Sequence, residues 1–373
     1  VCDAPLPDKM CKSTSRFKGS IRMDGTKIGG HLALNGITLV TEGNINQGDY
    51  ILDLVRLDIG GRLEIINSHI EGDTRLDGTT IKAETLLHNT IFHSLTMIGS
   101  NIGSNLSFVG STINGKLDLS YALVLGELTL AEPVGENRVV KFIGNNRELS
   151  LRNVTLKSIQ DWNKKNKYIY ENLQGRLVLA GLIYDRFGNS YDKNTNEIFD
   201  RLSGKERVDH WLSYQIYYKN QYLPQPFEQL AKVLETEGFQ NQAIDVKVAS
   251  KDHELASPTT PNSRKGALIA QKIFIEYGYS TWRAFAWFIF LVLLGAMFLK
   301  KYRATIEWPE TLSPPSFSTE FWFSLDRALP LLELSKEHEK VNLNIFKQYF
   351  YIHHLVGFIL ATFIVAGISG LTK

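Results

Sequence analysis

The stretch that decides the fold of this chain spans residues 63–124 and reads LEIINSHIEGDTRLDGTTIKAETLLHNTIFHSLTMIGSNIGSNLSFVGSTINGKLDLSYALV. Within it, apolar side chains recur at positions i, i+2 and i+7, and the pattern repeats after about eleven residues. Three such sets are Leu63, Ile65 and Ile70; Leu95, Met97 and Ile102; and Leu117, Leu119 and Val124. Working outward, the same pattern begins upstream at Ile21 and returns downstream as far as Tyr184.

An apolar pair at i and i+2 is typical of one face of a β-strand. The third apolar residue follows a turn that contains Gly, Asn, Ser or Asp. A unit repeated in this way buries its apolar face only by stacking on its neighbours. We therefore predict a β-helical solenoid over residues 1–190, interrupted at 131–146 and at 157–174. Exposed turns and these two interruptions are the expected contact surface for a partner.

Charge and cysteine content narrow the classes of function. The chain has 373 residues and a net charge of +2, so we expect no nucleic-acid partner. The two cysteines, Cys2 and Cys11, lie near an N-terminus that begins with Val1. This start suggests a processed secretory protein, and we predict a Cys2–Cys11 disulfide in an oxidising compartment. Two unpaired thiols are the alternative.

Periodicity changes after the repeats, and residues 191–262 are predicted to form a helical hairpin region and linker. Residues 208–220 have helical spacing. Further helical patterns at 227–234 and 242–249 flank a turn at Gly238. This layout predicts a single helical hairpin of the tetratricopeptide kind.

Residues 263–373 are predicted to form a membrane domain. Two long apolar runs predict spans at about 282–299 and 350–371, flanked by aromatic and basic residues. Buried helices of a soluble protein are the alternative.

The orientation of these spans rests on conflicting charges. Lys300 and Lys301 follow the first span and favour a cytoplasmic loop, whereas Arg264 and Lys265 precede it and favour the reverse. The predicted disulfide favours export of the β-helix from the cytoplasm. We therefore expect a two-pass protein of the bacterial inner membrane with a periplasmic β-helix.

Two motifs carry a resemblance to known proteins. Residues 224–231 read PQPFEQLA and are followed by Gly238 and Ala243, and residues 323–330 read FSLDRALP between the spans. With the spans, they resemble bacterial membrane proteins that combine pentapeptide- or bactofilin-like β-helical rungs, a PQP[YF]EQLA helical motif and two C-terminal transmembrane helices. Some of those proteins are called membrane-associated oxidoreductases, but this sequence has no Gly-x-Gly-x-x-Gly loop or Cys-x-x-Cys pair to support redox chemistry.

The segment between the spans is the most functional-looking part of the sequence. Ser316 or Ser318 is expected to cap a helix over 319–329, which Pro330 ends. Span, short helix and span is also the layout of tetrameric cation channels, but the glycine-rich filter is missing. We predict an interfacial amphipathic helix, with a pore helix as the alternative. The candidate residues of this segment are Trp322, Ser324, Asp326, Arg327, Pro330 and Glu333.

Charged and small residues in this region have expected contacts. Asp326 and Arg327 are expected to reach the membrane interface or to pair with Glu333 or Lys336, because unpaired charge within a membrane is costly. Small residues at spacings of three or four let membrane helices approach closely. The predicted helix-packing residues of the second span are Gly357, Ala361, Gly367 and Gly370.

Together these patterns predict a β-helix solenoid plus an α-helical hairpin and two transmembrane helices. The expected function is that of a non-enzymatic, membrane-anchored scaffold, an accessory subunit of a larger membrane complex. Membrane lipid and a membrane protein, or a second copy of the chain, are the expected partners. We predict no catalytic residues, cofactor or metal. An oligomeric channel is the first alternative and a membrane-surface oxidoreductase the second.

Overall fold

The computed structural model describes most of the chain. The described residues are 15–40, 50–132, 138–164, 169–188, 191–192, 197–198, 202–216, 221–312, 315–329, 334–343 and 346–368. The chain divides into two compact units, Val1–Thr259 and Thr260–Lys373. The predicted disulfide between Cys2 and Cys11 lies outside the described residues.

The first unit consists largely of short β-strands. In chain order they are β1 (Ser15–Lys18), β2 (Ile21–Arg22), β3 (Lys27–Ile28), β4 (Leu32–Ala33), β5 (Ile37–Val40), β6 (Tyr50–Asp53), β7 (Asp58–Ile59), β8 (Leu63–Glu64), β9 (His69–Ile70), β10 (Asp73–Arg75), β11 (Thr80–Ile81), β12 (Thr85–Leu86), β13 (Ile91–Phe92), β14 (Leu95–Thr96), β15 (Asn101–Ile102), β16 (Leu106–Ser107), β17 (Thr112–Ile113), β18 (Lys116–Asp118), β19 (Leu123–Thr129), β20 (Lys141–Phe142), β21 (Glu148–Ser150), β22 (Thr155–Gln160), β23 (Leu177–Val178), β24 (Arg186–Phe187), β25 (Tyr191–Asp192) and β26 (Glu197–Ile198).

These strands form three parallel sheets within the described part of the unit, beside the antiparallel pair β25–β26. The first sheet has the order β1-β5-β9-β13-β17-β20, and the second has the order β2-β6-β10-β14-β18-β21-β23. The third joins β3-β7-β11-β15 to β16-β12-β8-β4 through the long strand β19, which also pairs with β22. Up to β18 the chain therefore returns to the same row of strands after every fourth strand.

Register relates these sheets to the sequence repeat. Thr74 pairs with Leu95, and Leu95 pairs with Leu117. Neighbours within a sheet are therefore about two of the eleven-residue repeats apart. Consecutive repeats supply different rows of strands, and alternate repeats lie side by side.

The repeated apolar residues form the core of the first unit. Leu52, Leu54 and Ile59, which follow the i, i+2, i+7 pattern, have no exposed surface. The same holds for Leu63 and Ile65 in the next set. Burial of each such side chain contributes about 1.5–3 kcal/mol. The prediction that these positions face inward is confirmed.

Buried hydroxyls satisfy backbone carbonyls at the turns between strands. The Thr79 hydroxyl donates to the Leu54 carbonyl at 3.0 Å, and the Ser100 hydroxyl donates to the Leu76 carbonyl at 2.6 Å. Each bond joins chain segments two repeats apart. Because an unpaired buried hydroxyl is costly, these side chains fit only where the register brings a carbonyl opposite them.

Among the described residues of the first unit, the α-helices are α1 (Gly204–His210), α2 (Gln225–Thr236) and α3 (Gln240–Ala256). The prediction of a helix over 208–220 was wrong in its bounds. Ser203 and Glu206 form a capping box that starts α1 earlier. The helix ends at His210, and the Ile216 N–H pairs with the Leu177 carbonyl at 2.8 Å. Pairing with the strand region thus replaces the predicted helix at Ile216, and residues 217–220 lie outside the described residues.

Helices α2 and α3 pack on each other and on the sheet core. Ala231 and Ala243, the small residues on the two helices, are both buried. The motif PQPFEQLA supplies three hydrogen bonds to the strand region, from two glutamines. Gln225 accepts from the Gly181 N–H and donates to the Leu182 carbonyl, and Gln229 donates to the Tyr184 carbonyl. Among the described residues, no further strand pairs with these backbone groups. The two glutamines form hydrogen bonds with them instead.

The second unit is helical and comprises α4 (Asn262–Ile275), α5 (Thr281–Lys301), α6 (Phe317–Ala328) and α7 (Lys347–Ile368) among its described residues. Two of these helices are long and apolar enough to cross a membrane, over Thr281–Lys301 and Lys347–Ala366. The second of these helices begins at Lys347, three residues before the predicted start of the span at about residue 350. Ser316 is the N-cap of α6, as expected from the sequence, and accepts from the Thr319 N–H at 3.2 Å.

Candidate functional site

Helix α6 packs against both α5 and α7 in the second unit. Its buried residues are Glu320, Phe323, Ser324 and Ala328, spaced so that they share one face of the helix. Trp322, one of the candidate residues, lies on the other side and is half exposed. The face directed into the bundle therefore carries polar groups, and the outer face is aromatic.

Glu320 and Arg303 form an ion pair that the sequence analysis missed. The Arg303 guanidinium donates to Glu320 Oε1 at 2.7 Å, and the Glu320 side chain has no exposed surface. A buried carboxylate needs such a partner, because desolvation of an isolated charge costs several kcal/mol. The signal in the sequence was a single Glu within the aromatic run around Trp322. Its partner lies across an irregular segment, so spacing alone does not pair the two.

Asp326 pairs with His338 and not with Lys336, one of its two predicted partners. Its Oδ2 lies 2.9 Å from His338 Nδ1, and its Oδ1 accepts from the Leu334 N–H at 2.6 Å. Lys336 makes no ion pair with Asp326, so that expectation was wrong. The segment 336–340 forms a short helix that directs His338 inward. Glu333, the other expected partner, lies outside the described residues, as does Pro330.

Arg327 is only partly satisfied by its neighbours. Its Nη2 donates to the His338 carbonyl at 3.1 Å, while its buried Nε has no hydrogen-bond partner. The guanidinium carbon lies 5.2 Å from the centre of the Phe323 ring. No described carboxylate lies within ion-pair distance of Arg327. This guanidinium therefore keeps donor capacity for another group.

Ser324 joins α6 to α5 and to α7 through two hydrogen bonds. Its hydroxyl donates to the Val292 carbonyl of α5 at 2.8 Å, and His353 Nε2 of α7 donates to the Ser324 carbonyl at 3.1 Å. Gly295 makes this approach feasible, because a Cβ there would lie 2.2 Å from the Ser324 hydroxyl oxygen. His353 and Gly295 thus belong with the predicted residue Ser324. An apolar run containing a single Gly was the available signal for Gly295.

The small residues of α7 have different surroundings. A Cβ on Gly357 would lie 2.4 Å from the Ala328 carbonyl oxygen, so Gly357 lies directly against the end of α6. Ala361 packs at the edge of an apolar cluster that includes Phe288 and Leu360. Gly367 lies in the last turn of α7, and Gly370 lies outside the described residues. The packing role of these residues stays a prediction.

A contrast in surface chemistry marks one region of the first unit. Elsewhere, ion pairs cross between neighbouring strands, as with Arg75–Asp53 at 2.9 Å and Lys116–Glu148 at 3.1 Å. Around β22, however, Leu123, Leu125 and Ile183 are 37%, 50% and 49% exposed. Thr155 of β22 pairs with Leu123 of β19 on one side and with Ile183 on the other. We call Leu123, Leu125 and Ile183 the apolar patch.

The predicted interruption at 157–174 is in part regular structure. β22 continues to Gln160, and Asp161 is buried beyond it, where Arg207 of α1 donates to Asp161 Oδ1 at 2.8 Å. The Tyr170 hydroxyl donates to Asp161 Oδ2 at 2.8 Å, and burial raises the pKa of this phenol well above its ordinary value. This part of the interruption is therefore an internal contact and not an exposed surface.

No family model, curated protein or solved structure matches this chain.

Proposed function

We propose that the chain is a two-pass membrane protein of the bacterial inner membrane and a non-enzymatic scaffold. In this proposal its strands wind as a β-helical solenoid that binds a partner protein, as an accessory subunit of a larger membrane complex. The resemblance of its two motifs to bacterial membrane proteins with β-helical rungs belongs to the same proposal.

Two features support the solenoid. Parallel strands recur in the same rows, and alternate repeats of about eleven residues lie side by side. Their apolar residues share one core. Such a unit offers a long surface held by backbone pairing, and repeat proteins generally use that kind of surface for binding.

The observation that carries the binding function is the apolar patch. Leu123 and Leu125 of β19 and Ile183 on the other side of β22 are exposed, whereas ion pairs such as Arg75–Asp53 cross between strands elsewhere. Exposed apolar residues in a cluster favour a protein contact, because their burial between two proteins removes them from water. The patch lies where the strands are longest, on β19 and beside β22.

Orientation is supported by the charges at one end of the helical bundle. The Phe298 and Tyr349 rings stack with their centres 4.3 Å apart, so the end of α5 and the start of α7 are neighbours. Lys300, Lys301 and Lys347 therefore lie at the same end of the bundle. Basic residues at the ends of spans favour the cytoplasmic side. In this proposal the segment between α5 and α7 is cytoplasmic, and the first unit, with the β-strands, is periplasmic.

The channel alternative has weaker support from the geometry. A pore-lining helix would direct polar groups toward the axis of an oligomer. In α6, Glu320, Ser324 and Asp326 instead bond within their own helical unit. The exposed side of α6 includes Trp322 and Phe317, which suit a lipid or protein contact. The contacts of α6 therefore favour the scaffold over the channel.

The test compares a patch variant with a matched control in native membranes. Leu123→Asp places a charge in the apolar patch, and Thr112→Asp places the same charge on β17 of the first sheet. We expect the wild type and Thr112→Asp to purify as an assembly of fixed stoichiometry with a second protein, which Leu123→Asp loses. Recovery of the same monomer from all three would contradict the scaffold. Release of the chain by alkaline carbonate would contradict membrane insertion.

A further inference from the structure

A cavity of about 500 Å³ lies beside the N-terminal end of α7 in the second unit. Arg327, Lys340, Lys347 and His354 line it, with Glu339 as the acidic member. These cations come from α6, from the short 336–340 helix and from α7, so packing of the bundle gathers them. With histidine neutral, the lining charge is positive. Such a cavity favours an anion.

Arg327 and Lys347 carry the charge that is available to a ligand. Lys340 is already engaged by Glu337 at 2.7 Å. Arg327 has a buried Nε without a partner, and among the described residues its guanidinium donates to the His338 carbonyl alone. Lys347 is exposed, and no acidic side chain in the described ranges lies within ion-pair distance of it. Two cations that line the cavity, one from α6 and one from α7, thus have no counter-ion among the described residues.

The backbone of α7 and its neighbours adds to this preference. Lys347 is the first residue of the 22-residue helix, whose initial N–H groups lack acceptors within the helix and whose dipole favours negative charge at this end. His354 donates from Nδ1 to the Arg327 carbonyl at 3.0 Å, which ties the wall formed by α7 to Arg327. A guanidinium, an ammonium and a helix N-terminus form a donor set that suits phosphate oxygens.

The other walls suggest where the phosphate comes from. Leu343, Phe350 and Tyr351 supply apolar surface to the same cavity. Because α7 is a candidate span and the cavity lies at its end, the level of the cavity matches that of lipid headgroups. Glu339 can accept hydrogen bonds from headgroup hydroxyls, as a glycerol headgroup would offer.

We propose that this cavity binds a phosphate group, held by Arg327 and Lys347 and carried by an anionic phospholipid. The lipid source rests on the proposed membrane insertion, and free inorganic phosphate is the second source of the same chemistry. Anionic lipid bound here joins α6, the 336–340 helix and α7 at one end of the bundle.

The test uses the full chain purified in detergent. Native mass spectrometry measures binding of phosphatidylglycerol and of phosphatidylcholine to the wild type, Arg327→Gln, Lys347→Gln and Lys301→Gln. Lys301 is an exposed cation at the same end of the bundle that does not line the cavity, so Lys301→Gln is the matched control. A second arm measures binding of inorganic phosphate to the same four proteins by ³¹P NMR.

We expect the preference for phosphatidylglycerol to fall about tenfold in Arg327→Gln and in Lys347→Gln, the loss of one charge-assisted hydrogen bond. Lys301→Gln should keep it. If the wild type shows no lipid preference but binds phosphate, and both cavity variants lose that binding, the phosphate site is supported with the free ion as its source. Equal lipid and phosphate binding by all four proteins would overturn the proposal. Because Arg327 also contacts His338, Lys347→Gln decides the result if Arg327→Gln unfolds.

These outcomes are separate from the outcome for membrane insertion. Release of the chain by carbonate would contradict membrane insertion and would leave phosphate binding in the cavity to be decided by the ³¹P NMR arm. An inserted protein that binds both lipids equally in all variants would contradict the cavity alone.

Discussion

The buried ion pair between Asp161 and Arg207 gives the sharpest test of how the helices join the strand unit. Both side chains are almost fully buried, at 1% and 2% exposure, and Arg207 donates to both carboxylate oxygens. Tyr170 donates to Asp161 as well. Asp161→Asn keeps the size of the side chain but leaves the Arg207 charge without a counter-ion.

Removal of one partner of a buried ion pair costs about 3–5 kcal/mol. At about 1.4 kcal/mol for each factor of ten, opening of α1 should become about a hundred- to a few thousandfold more frequent. Hydrogen exchange of the full chain in detergent, followed by mass spectrometry of peptides from 202–216, measures that opening directly.

The matched control is Asp24→Asn. Asp24 also makes an ion pair with an arginine, Arg56 at 2.9 Å, but both side chains are largely exposed. Exposed pairs contribute little, so exchange should stay close to that of the wild type. If Asp161→Asn also exchanges within tenfold of the wild type, the pair does not hold α1 on the strand unit, and the reasoning from burial is wrong.

Three further predictions test other contacts. Gly295→Ala should destabilise the second unit by about 1–3 kcal/mol, because the added Cβ would overlap the Ser324 hydroxyl. Thermal unfolding in detergent measures the loss, and Gly266→Ala is the control, since a Cβ on Gly266 would meet no neighbouring atom. Burial lowers the pKa of His88 below its ordinary 6.5, so only the unfolded chain gains a proton as the pH falls through that value. Wild-type stability should therefore be full above about pH 6.5 and decline below it, while urea unfolding of His88→Gln shows less decline; parallel profiles would refute this. Gln225→Ala should leave the Gly181 N–H and the Leu182 carbonyl without partners and expose residues 177–187 to faster hydrogen exchange, and unchanged exchange would show that α2 does not protect this edge.

The rows of strands were predictable because the side-chain period is local. Leu63 and Ile65 face the core since residues two apart share one face of a strand, and the turn brings Ile70 inward as well. The pairing of alternate repeats was not predictable from that pattern. Adjacent and alternate repeats offer the same apolar residues, and only the closed three-dimensional path selects between them.

The polar contacts of the helical unit were predictable only in part. A serine three residues before Thr319 marks the start of α6, because capping depends on neighbours in sequence. The partners of Asp326 and Glu320 depend instead on how irregular segments fold back. Asp326 therefore meets His338, and Glu320 meets Arg303, which no spacing rule identifies.

The apolar patch was not foreseen either. The apolar character of Leu125 alone favours burial, although alternation from Val124 places it on the opposite face of β19. The structure exposes it because the buried positions of this strand fall on Val124 and Leu128. Exposure thus depends on the register of β19 against its neighbours.

Site-specific photo-crosslinking in native membranes tests the central claim most directly. A photoreactive amino acid replaces Leu125 in the apolar patch and, in a control protein, Thr112 on the first sheet. The scaffold proposal predicts one discrete adduct with a second protein from position 125 and none from position 112. Absence of an adduct at position 125, or the same adducts from both positions, would contradict it.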